Sequence, residues 1–390
     1  MTLPGKPRRS DDRMRFGLMW PNTRSQNVTS GVVAAQNPDV LSPQAHLDLA
    51  RTCEDIGLDY VFFADSYTVN GPASVRVGHG EPRLFAPIWA AAVIGATRHL
   101  GVVTTLHTQY LAPALIARIG ANLDVLSGGR WGWNVVPGSK PAEADLFGLP
   151  DRLDHDARYQ VAAETVSAVK ELWRNGLEPT SFHGEHVDVT GALCGPVPVQ
   201  RPCPPLFNPG LSPSGLDLIA GECDFGFSAV VDDLAQVRAS VDRLAAAATA
   251  AGRHDGPELV GSIGIVLGES QAAAEEEHAR LLGSVDLDAA AGFADFFLAS
   301  SRTYQELFAD DDREQLVRRI ALGAGSTVLV GTAEHVAERL VEIERETGLR
   351  NFLLLPFLWS ADQVGRYRSV LDHLEKRGAW TPPESRGWSW

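Results

Sequence analysis

The chain has 390 residues, of which 44% are hydrophobic and 21% are charged, and its formal net charge at pH 7 is −15. This composition is typical of a globular protein with a large core, and the length is compatible with one α/β barrel that carries insertions. The acidic balance disfavours a nucleic-acid partner, because phosphate binding needs a basic patch and the sequence has no basic run. No apolar run of about 18 residues occurs, so we expect no membrane span.

The two ends of the chain and its cysteines bear on localisation. Residues 1–13 are polar and lack the apolar middle of a signal peptide, so we expect a short N-terminal tail there. Residues 379–390 are expected to form a C-terminal tail whose tryptophans pack on the surface or on a neighbouring subunit. Free thiols in a reducing cytoplasm are the simplest account of four scattered cysteines without metal-site spacing, namely Cys53, Cys194, Cys203 and Cys223.

Short apolar runs alternate with segments of helical periodicity along the chain. Eight runs are predicted strands, at 14–20, 59–64, 100–107, 130–136, 206–208, 224–228, 259–267 and 351–356. Helices are predicted between them, from residue 42 and at 111–126, 154–173, 215–221, 231–250, 333–347 and 362–376. The strand runs are continuously apolar, which indicates burial on both faces, as in a parallel sheet.

Eight strands that alternate with helices predict a single TIM-type (β/α)8 barrel over residues 14–378. An open doubly wound sheet would show the same alternation. However, the sequence MWPNTR that follows the first strand lacks the GxGxxG fingerprint of a dinucleotide-binding fold. This absence argues against a Rossmann fold and against a nicotinamide-dependent dehydrogenase.

Four connections are longer than ordinary loops, at 66–84, 137–153, 178–204 and 283–327. Three of them follow strands, and we therefore expect these insertions at the C-terminal face of the barrel, where barrel enzymes place their chemistry. The connection 283–327 is rich in aromatic residues, which is unusual for a plain linker. We expect it to form a lid over the barrel mouth.

The most specific pattern lies on two neighbouring predicted strands. Thr105 and His107 end the first of them on one face, because side chains alternate along a strand. Asn134 ends the second strand and is expected to face inward, while Trp131 and Trp133 face outward against helices. Thr105, His107 and Asn134 would then meet at the barrel mouth, where small polar groups can accept a flat ring and hydrogen-bond to its edge.

Several ordered segments resemble one enzyme family. LSGGRWGWNVV at 126–136 resembles the flavin-dependent monooxygenases related to bacterial luciferase, and the branch of nitrilotriacetate, dibenzothiophene-sulfone and pyrimidine monooxygenases most closely. LDHDARYQ at 153–160 resembles a motif before a long helix of that branch, and FNPGLSPSG at 207–215 resembles its phosphate-binding turn. With DYVFFAD and GTAEHVAERL, the resemblance extends from about Met14 to Lys376.

The resemblance implies a role for particular residues. Asn134 would contact the flavin ring and, with Thr105, border an oxygen pocket, and His107 is the candidate proton donor or acceptor. Further flavin contacts are implied beside the ring, at the ribityl chain and at the phosphate, from Ala64, Asp65, Ser66, Glu143, Arg158, Tyr159, Ser212 and, more weakly, Ser214. One position departs from the family, since Pro137 replaces a usual threonine and removes a hydroxyl and a backbone donor.

Some of these residues also have a purely structural explanation. Ser212 followed by Pro213 is an N-cap with proline at the first helical position, with or without a bound phosphate, although such a helix start is also an anion site. His107 is nearly as well explained as a hydrogen-bonded core histidine. Arg158 and Tyr159 could form an exposed ion pair and a packed ring.

The acidic triplet DHD at 154–156 is the one short motif that resembles a metal-binding cluster. Acidic residues in the first turn of a helix are ordinary partners of the helix dipole, and we therefore predict no metal site.

The resemblance further implies a two-component enzyme. It would use FMN reduced by a separate flavin reductase, together with O2, to oxygenate a small organic substrate through a flavin peroxide. The substrate stays open, as does the flavin atom, N5 or C4a, at which oxygen adds. A homo-oligomer, either a dimer or a tetramer, is expected from the family. The alternatives are an F420-dependent oxidoreductase on the same barrel and a catalytically silent flavin-binding barrel.

Overall fold

The computed structural model describes residues 13–138, 140–149, 153–253 and 256–387. In this part of the chain the strands are β1 (Arg15–Met19), β2 (Tyr60–Phe63), β3 (Gly101–His107), β4 (Trp131–Val136), β5 (Thr180–His183), β6 (Asp188–Ala192), β7 (Leu206–Asn208), β8 (Phe225–Ala229), β9 (Glu258–Leu267), β10 (Val328–Gly331) and β11 (Asn351–Leu355).

The helices run between and around these strands. They are α1 (Gly31–Gln36), α2 (Pro43–Asp55), α3 (Pro72–Val77), α4 (Ala86–Ala96), α5 (Pro113–Ser127), α6 (Pro141–Leu146), α7 (His155–Asn175), α8 (Pro213–Glu222), α9 (Leu234–Ala250), α10 (Gln271–Gly283), α11 (Leu287–Ser300), α12 (Arg302–Leu307), α13 (Arg313–Ala321), α14 (Ala333–Thr347), α15 (Ala361–Gly365) and α16 (Tyr367–Lys376), followed by a 3-10 helix (Pro383–Arg386). None of the helices described is long and apolar enough to span a membrane.

Eight strands close into one parallel barrel. Their order around it is β1, β2, β3, β4, β7, β8, β9 and β11, and β11 pairs with β1 to complete the ring. Each of the eight predicted strands coincides with one of these to within one residue at either end. The predicted TIM-type barrel is therefore confirmed.

Three strands lie outside the barrel, and the sequence patterns did not predict them. β10 adds in parallel to the C-terminal half of β9. β5 and β6 form an antiparallel hairpin within the segment 178–204. This hairpin follows helix α7 and lies against it, because the Glu164 carboxylate of α7 accepts hydrogen bonds of 2.8–2.9 Å from the backbone at residues 185–187.

Packing on the outside of β4 determines which of its side chains face inward. Trp131 and Trp133 are fully buried on the outer face, as predicted, and both rings contact Trp173 of α7 edge-on. Gly120 of α5 leaves room for them, since a Cβ atom there would lie 2.5 Å from the Trp131 ring. Alternation along the strand then directs Asn134 to the barrel interior.

The barrel interior is packed rather than open. One cluster of buried side chains fills it, consisting of Met19, Tyr60, Phe62, Val103, Phe207, Val260, Leu353 and Leu355. A (β/α)8 barrel filled in this way leaves space for ligands only beyond the carboxyl ends of its strands.

The segment after residue 378 is more than a tail. Trp380 is fully buried beside Gly57, where a Cβ atom would lie 3.1 Å from its ring, so the expectation of a surface or subunit contact is wrong for this tryptophan. Arg386 donates a 2.6 Å hydrogen bond to Asp59, and the Asp59 carboxylate also accepts from the backbone N–H of Phe16 at 2.8 Å. The segment thereby seals the N-terminal end of the barrel. The remaining tryptophans of the predicted tail lie outside the described residues.

Candidate active site

A cavity of about 300 Å³ lies at the carboxyl ends of the barrel strands. Six of the predicted site residues line it, namely Ala64, Asp65, Ser66, Arg158, Tyr159 and Ser212. Pro137 also lines it, so the departure from the family lies at the cavity wall. The segment 283–327 contributes one aromatic wall through Phe293, Phe296, Phe297 and Tyr304. The position of this segment suits a lid, and its movement stays a prediction.

Thr105 and Asn134 do not line the cavity, and they belong to a hydrogen-bond chain that joins three neighbouring strands. The Thr105 hydroxyl donates to the Phe63 carbonyl oxygen at 2.8 Å, and the Asn134 amide nitrogen donates to the Thr105 hydroxyl oxygen at 2.9 Å. A threonine hydroxyl has a single proton, so once it donates to Phe63 it can only accept from Asn134. This orients the Asn134 amide. Its Oδ1 is buried and has no hydrogen-bond partner in the described part of the chain.

His107 lies two residues beyond Thr105 on the same strand and is buried. Its ring contacts those of Tyr67 and Tyr110, with centroids 5.1 and 5.6 Å away, and it does not line the cavity. Burial lowers the pKa of His107 to about 4, and the nearby cations Lys140 and Arg83 lower it further while Glu143 opposes them. The imidazole is therefore neutral at pH 7.

Glu143 and Lys140 anchor the loop that follows β2. Glu143 Oε1 accepts hydrogen bonds from the Ser66 hydroxyl at 2.7 Å and from the Tyr67 backbone N–H at 2.8 Å. The Lys140 ammonium group donates to Ser66 Oγ, to the Thr68 carbonyl oxygen and to Asn70 Oδ1, at 2.6, 2.8 and 3.0 Å. Glu143 is buried behind this loop and does not line the cavity. Its direct contacts are therefore with the loop.

Asp65 is held by the backbone on both of its carboxylate oxygens. Oδ1 accepts from the Ser66 N–H at 2.8 Å, and Oδ2 accepts at 3.0 Å from the N–H of Ala86, the first residue of α4. Burial raises the pKa of Asp65, and these two hydrogen bonds and nearby Arg83 lower it in part. The carboxylate shapes the cavity wall and accepts these bonds from the backbone rather than from Arg83.

A second polar region lies where α7 meets the start of α8. Ser212 caps α8 by accepting from the Gly215 N–H, as its sequence predicts, and its hydroxyl lies 3.4 Å from His155 Nε2. A Cβ atom at Gly210 would lie 1.9 Å from the Tyr159 hydroxyl, so only glycine lets the ring approach this turn. Arg158 donates to the Leu153 carbonyl oxygen at 2.9 Å.

The remaining candidates lie at the margin of this region. Ser214 is bonded to the exposed carboxylate of Asp156 at 2.5 Å and does not line the cavity. Asp154 caps α7 by accepting from the Ala157 N–H, in agreement with the helix-start interpretation of the acidic triplet. Across the described ranges, no group of three His, Cys, Asp or Glu side chains is placed to hold a metal ion.

Five basic residues that line the cavity were not predicted from the sequence, namely His79, Arg83, Lys140, His155 and Arg302. All but His155 lie in the long connections or in their short helices, where no strand or helix period indicates which way a side chain points. His155 could have been found from the sequence, because it lies inside the motif LDHDARYQ.

Comparison with known proteins relates the chain to monooxygenases. The family model described as luciferase-like monooxygenase matches residues 14–351. Dibenzothiophene-sulfone monooxygenase of Rhodococcus erythropolis is 34% identical over 265 residues, which cover 61% of this chain and 58% of that protein. The chain thus spans less than two thirds of that relative.

Two further similarities extend over nearly the whole chain. FMNH2-dependent dimethylsulfone monooxygenase of Pseudomonas putida is 26% identical over 339 residues, which cover 85% of this chain and 87% of that protein. The crystal structure of a riboflavin lyase with modified FMN and riboflavin superposes with a TM-score of 0.86 at 26% identity, and it covers 95% of this chain and 93% of that one.

The low pKa of His107 predicts a specific pH dependence of stability. The native imidazole stays neutral down to about pH 4, whereas the unfolded chain binds a proton below about pH 6.5, so stability falls as the pH falls through this window. From pH 7 to pH 5, we expect the free energy of unfolding of the wild type to fall by about 2 kcal/mol more than that of His107→Gln. Urea unfolding at both pH values measures this difference.

The exposed His186 provides the control, and His186→Gln should follow the wild type. Buried carboxyl groups change the free energy of unfolding of all three proteins equally between the two pH values, so their effect cancels in the comparison. Equal losses in the wild type and His107→Gln would contradict the interpretation of His107 as a buried neutral imidazole.

Proposed function

The chain belongs to the luciferase-like monooxygenase family, and from this premise we propose that it is an FMN-dependent monooxygenase. It receives reduced FMN from a separate flavin reductase and uses O2 to oxygenate a small organic substrate. When bound, reduced flavin supplies the two electrons with which one atom of O2 reaches the substrate and the other leaves as water. The observation that carries the proposal is the oriented Oδ1 of Asn134, which is buried without a partner in the described chain, two residues before Val136 at the cavity wall.

The residues around Asn134 suit a flavin ring. Because Thr105 orients the amide, a ligand that pairs with Asn134 Oδ1 has to supply a donor. The N–H groups on the edge of a reduced isoalloxazine ring are such donors. Ala64, Asp65 and Ser66 line the same cavity from the end of β2, where we propose that they lie beside the ring.

The start of α8 suits the phosphate of FMN. The helix dipole attracts an anion there, and Ser212 and Tyr159 lie at the cavity surface beside it. Arg158 supplies a guanidinium that can bind phosphate through two parallel hydrogen bonds. We propose that these three residues bind the phosphate, with His155 beside them. Ser214 would act only through Asp156.

The other cavity residues would exclude water and hold a proton. The aromatic wall of α11 and α12 shields the cavity from solvent, which limits the loss of reducing equivalents as hydrogen peroxide. We propose that neutral His107, which does not line the cavity, acts as the proton donor or acceptor through a hydroxyl group of Tyr67 or Tyr110, whose rings it contacts. Glu143 would position Ser66 and Tyr67 at the ring.

Two features of the described chain bear on its environment and assembly. All four cysteines are buried and in the thiol form rather than in disulfides, which suits the proposed reducing cytoplasm. α4 is apolar all round, yet Ile88 on it is 66% exposed, as expected for a helix that packs against a second copy of the chain. We therefore propose a homo-oligomer, and a single-chain mass by light scattering would refute it.

The phosphate site makes one prediction about cofactor binding. We expect Arg158→Met to weaken FMN binding about 10- to 100-fold, because a hydrogen bond to a charged group contributes about 1.5–3 kcal/mol. Riboflavin lacks the phosphate, and its affinity should not change. Fluorescence titrations with both flavins measure this, with Arg174→Met on the exposed side of the same helix as control. An equal loss for both flavins would contradict a phosphate contact.

The monooxygenase activity itself predicts how the chain handles oxygen. We expect reduced FMN mixed with the chain and then with air to release hydrogen peroxide at least about tenfold more slowly than free reduced FMN, because the cavity walls exclude water. Asn134→Ala should restore fast release, and Asn122→Ala on the exposed face of α5 should not. A peroxide assay beside flavin absorbance measures this.

Two results would contradict the proposal. Peroxide release at the free-flavin rate from the wild type would favour the silent barrel, against which the intact Asn134–Thr105 pair argues. Binding of F420 in place of FMN, without oxygen consumption, would favour the F420-dependent oxidoreductase.

A further inference from the structure

The segment 66–84 and helix α11 form one wall of the cavity together. His79 of the segment contacts the Phe293 ring of α11, with centroids 4.5 Å apart, and the Lys140 ammonium lies 4.4 Å from the centre of the Phe296 ring. Arg83 lines the cavity on the same side. This wall is distinct from the start of α8, where the phosphate of FMN is proposed to bind.

Arg83 is the notable group on this wall. It is half-buried and lines the cavity, yet its guanidinium donates no hydrogen bond to any residue in the described ranges. Lys140 nearby differs, because its ammonium has three protons and three acceptors at 2.6–3.0 Å. Arg83 is thus the cation of this wall whose N–H groups are available to a ligand.

The acidic neighbours of Arg83 do not use these donors. Asp65 accepts from two backbone N–H groups and Glu143 from Ser66 and Tyr67, and these two carboxylates and Glu81 act on Arg83 only through longer-range attraction. Burial lowers the pKa of Arg83, but an arginine stays charged at neutral pH. A half-buried guanidinium keeps only part of its hydration, and an anion in the cavity would supply the acceptors that the protein does not.

We propose that Arg83 is the anion-binding residue of the substrate site, and that the substrate is an organic acid whose carboxylate or similar oxyanion pairs with it. The apolar part of the substrate would pack on Phe293 and Phe296. This inference rests on the proposed function, which assigns the start of α8 to FMN and leaves this wall to the substrate.

The charge of the wall limits the substrate to one acidic group there. His79 lines the cavity too, but burial lowers its pKa to about 3, and nearby Arg83 lowers it further, so it adds no positive charge at neutral pH. The Lys140 donors are occupied. A planar fork of donors favours a planar carboxylate through two parallel hydrogen bonds, which a lysine could not supply.

Matched aromatic probes test this inference. Benzoate and benzamide have the same shape and differ in charge, so their affinities for the chain, with and without FMN, compare an anion with a neutral analogue. We expect the wild type to bind benzoate at least about tenfold more tightly than benzamide, as a charge-assisted bidentate contact implies. Isothermal titration calorimetry measures both.

Variants at Arg83 separate its charge from its geometry. Arg83→Met should abolish the preference for benzoate and leave benzamide affinity unchanged, and Arg83→Lys should retain only part of the preference. Arg51→Met, an exposed arginine of α2, is the control and should match the wild type. FMN affinity should be the same in all four proteins, and thermal unfolding should show that each is folded.

Three outcomes would overturn the inference. They are equal binding of the two probes by the wild type, an unchanged preference in Arg83→Met, and a loss of FMN affinity in Arg83→Met with benzoate binding intact, which would assign Arg83 to the phosphate. Failure of FMN to bind any of the proteins would refute the proposed function instead. The probe comparison without FMN would still decide whether Arg83 binds an anion.

Discussion

The candidate site depends on the hydrogen-bond chain that runs from the Phe63 carbonyl through Thr105 to Asn134. It joins β2, β3 and β4, and each link determines the direction of the next. With one hydroxyl proton committed to Phe63, Thr105 accepts from Asn134, whose Oδ1 stays a buried acceptor without a partner in the described chain. The chemistry proposed for the site follows from this orientation, because the ligand has to bring the donor.

Packing elsewhere in the barrel supports this chain. Trp131 and Trp133 occupy the outer face of β4 against Trp173, and the small Gly120 on α5 admits them. If the register of β4 slipped by one residue, the tryptophans would turn inward and Asn134 outward. The same outward packing that stabilises the barrel therefore positions the amide, while the loop held by Glu143 and Lys140 forms the adjoining wall.

Periodicity explains which features could be predicted from the sequence. The barrel strands, the inward Asn134 and the cap at Ser212 follow from strand alternation and helix-start chemistry, which are local. The position of Arg83 depends on how the long connection 66–84 folds against α11, and no local pattern encodes that. Trp380 was misjudged for a similar reason, because its pocket beside Gly57 is formed by residues more than 300 positions earlier.

The most direct test of the account is an anaerobic titration of the chain with reduced and with oxidised FMN, for the wild type and Asn134→Ala. An acceptor oxygen at the ring edge should make reduced FMN bind more tightly than oxidised FMN, because reduction adds ring N–H donors. We predict that the two affinities differ by about tenfold, which corresponds to the contribution of one buried hydrogen bond. The difference should be lost in Asn134→Ala. Equal affinities in the wild type, or an unchanged difference in the variant, would contradict it.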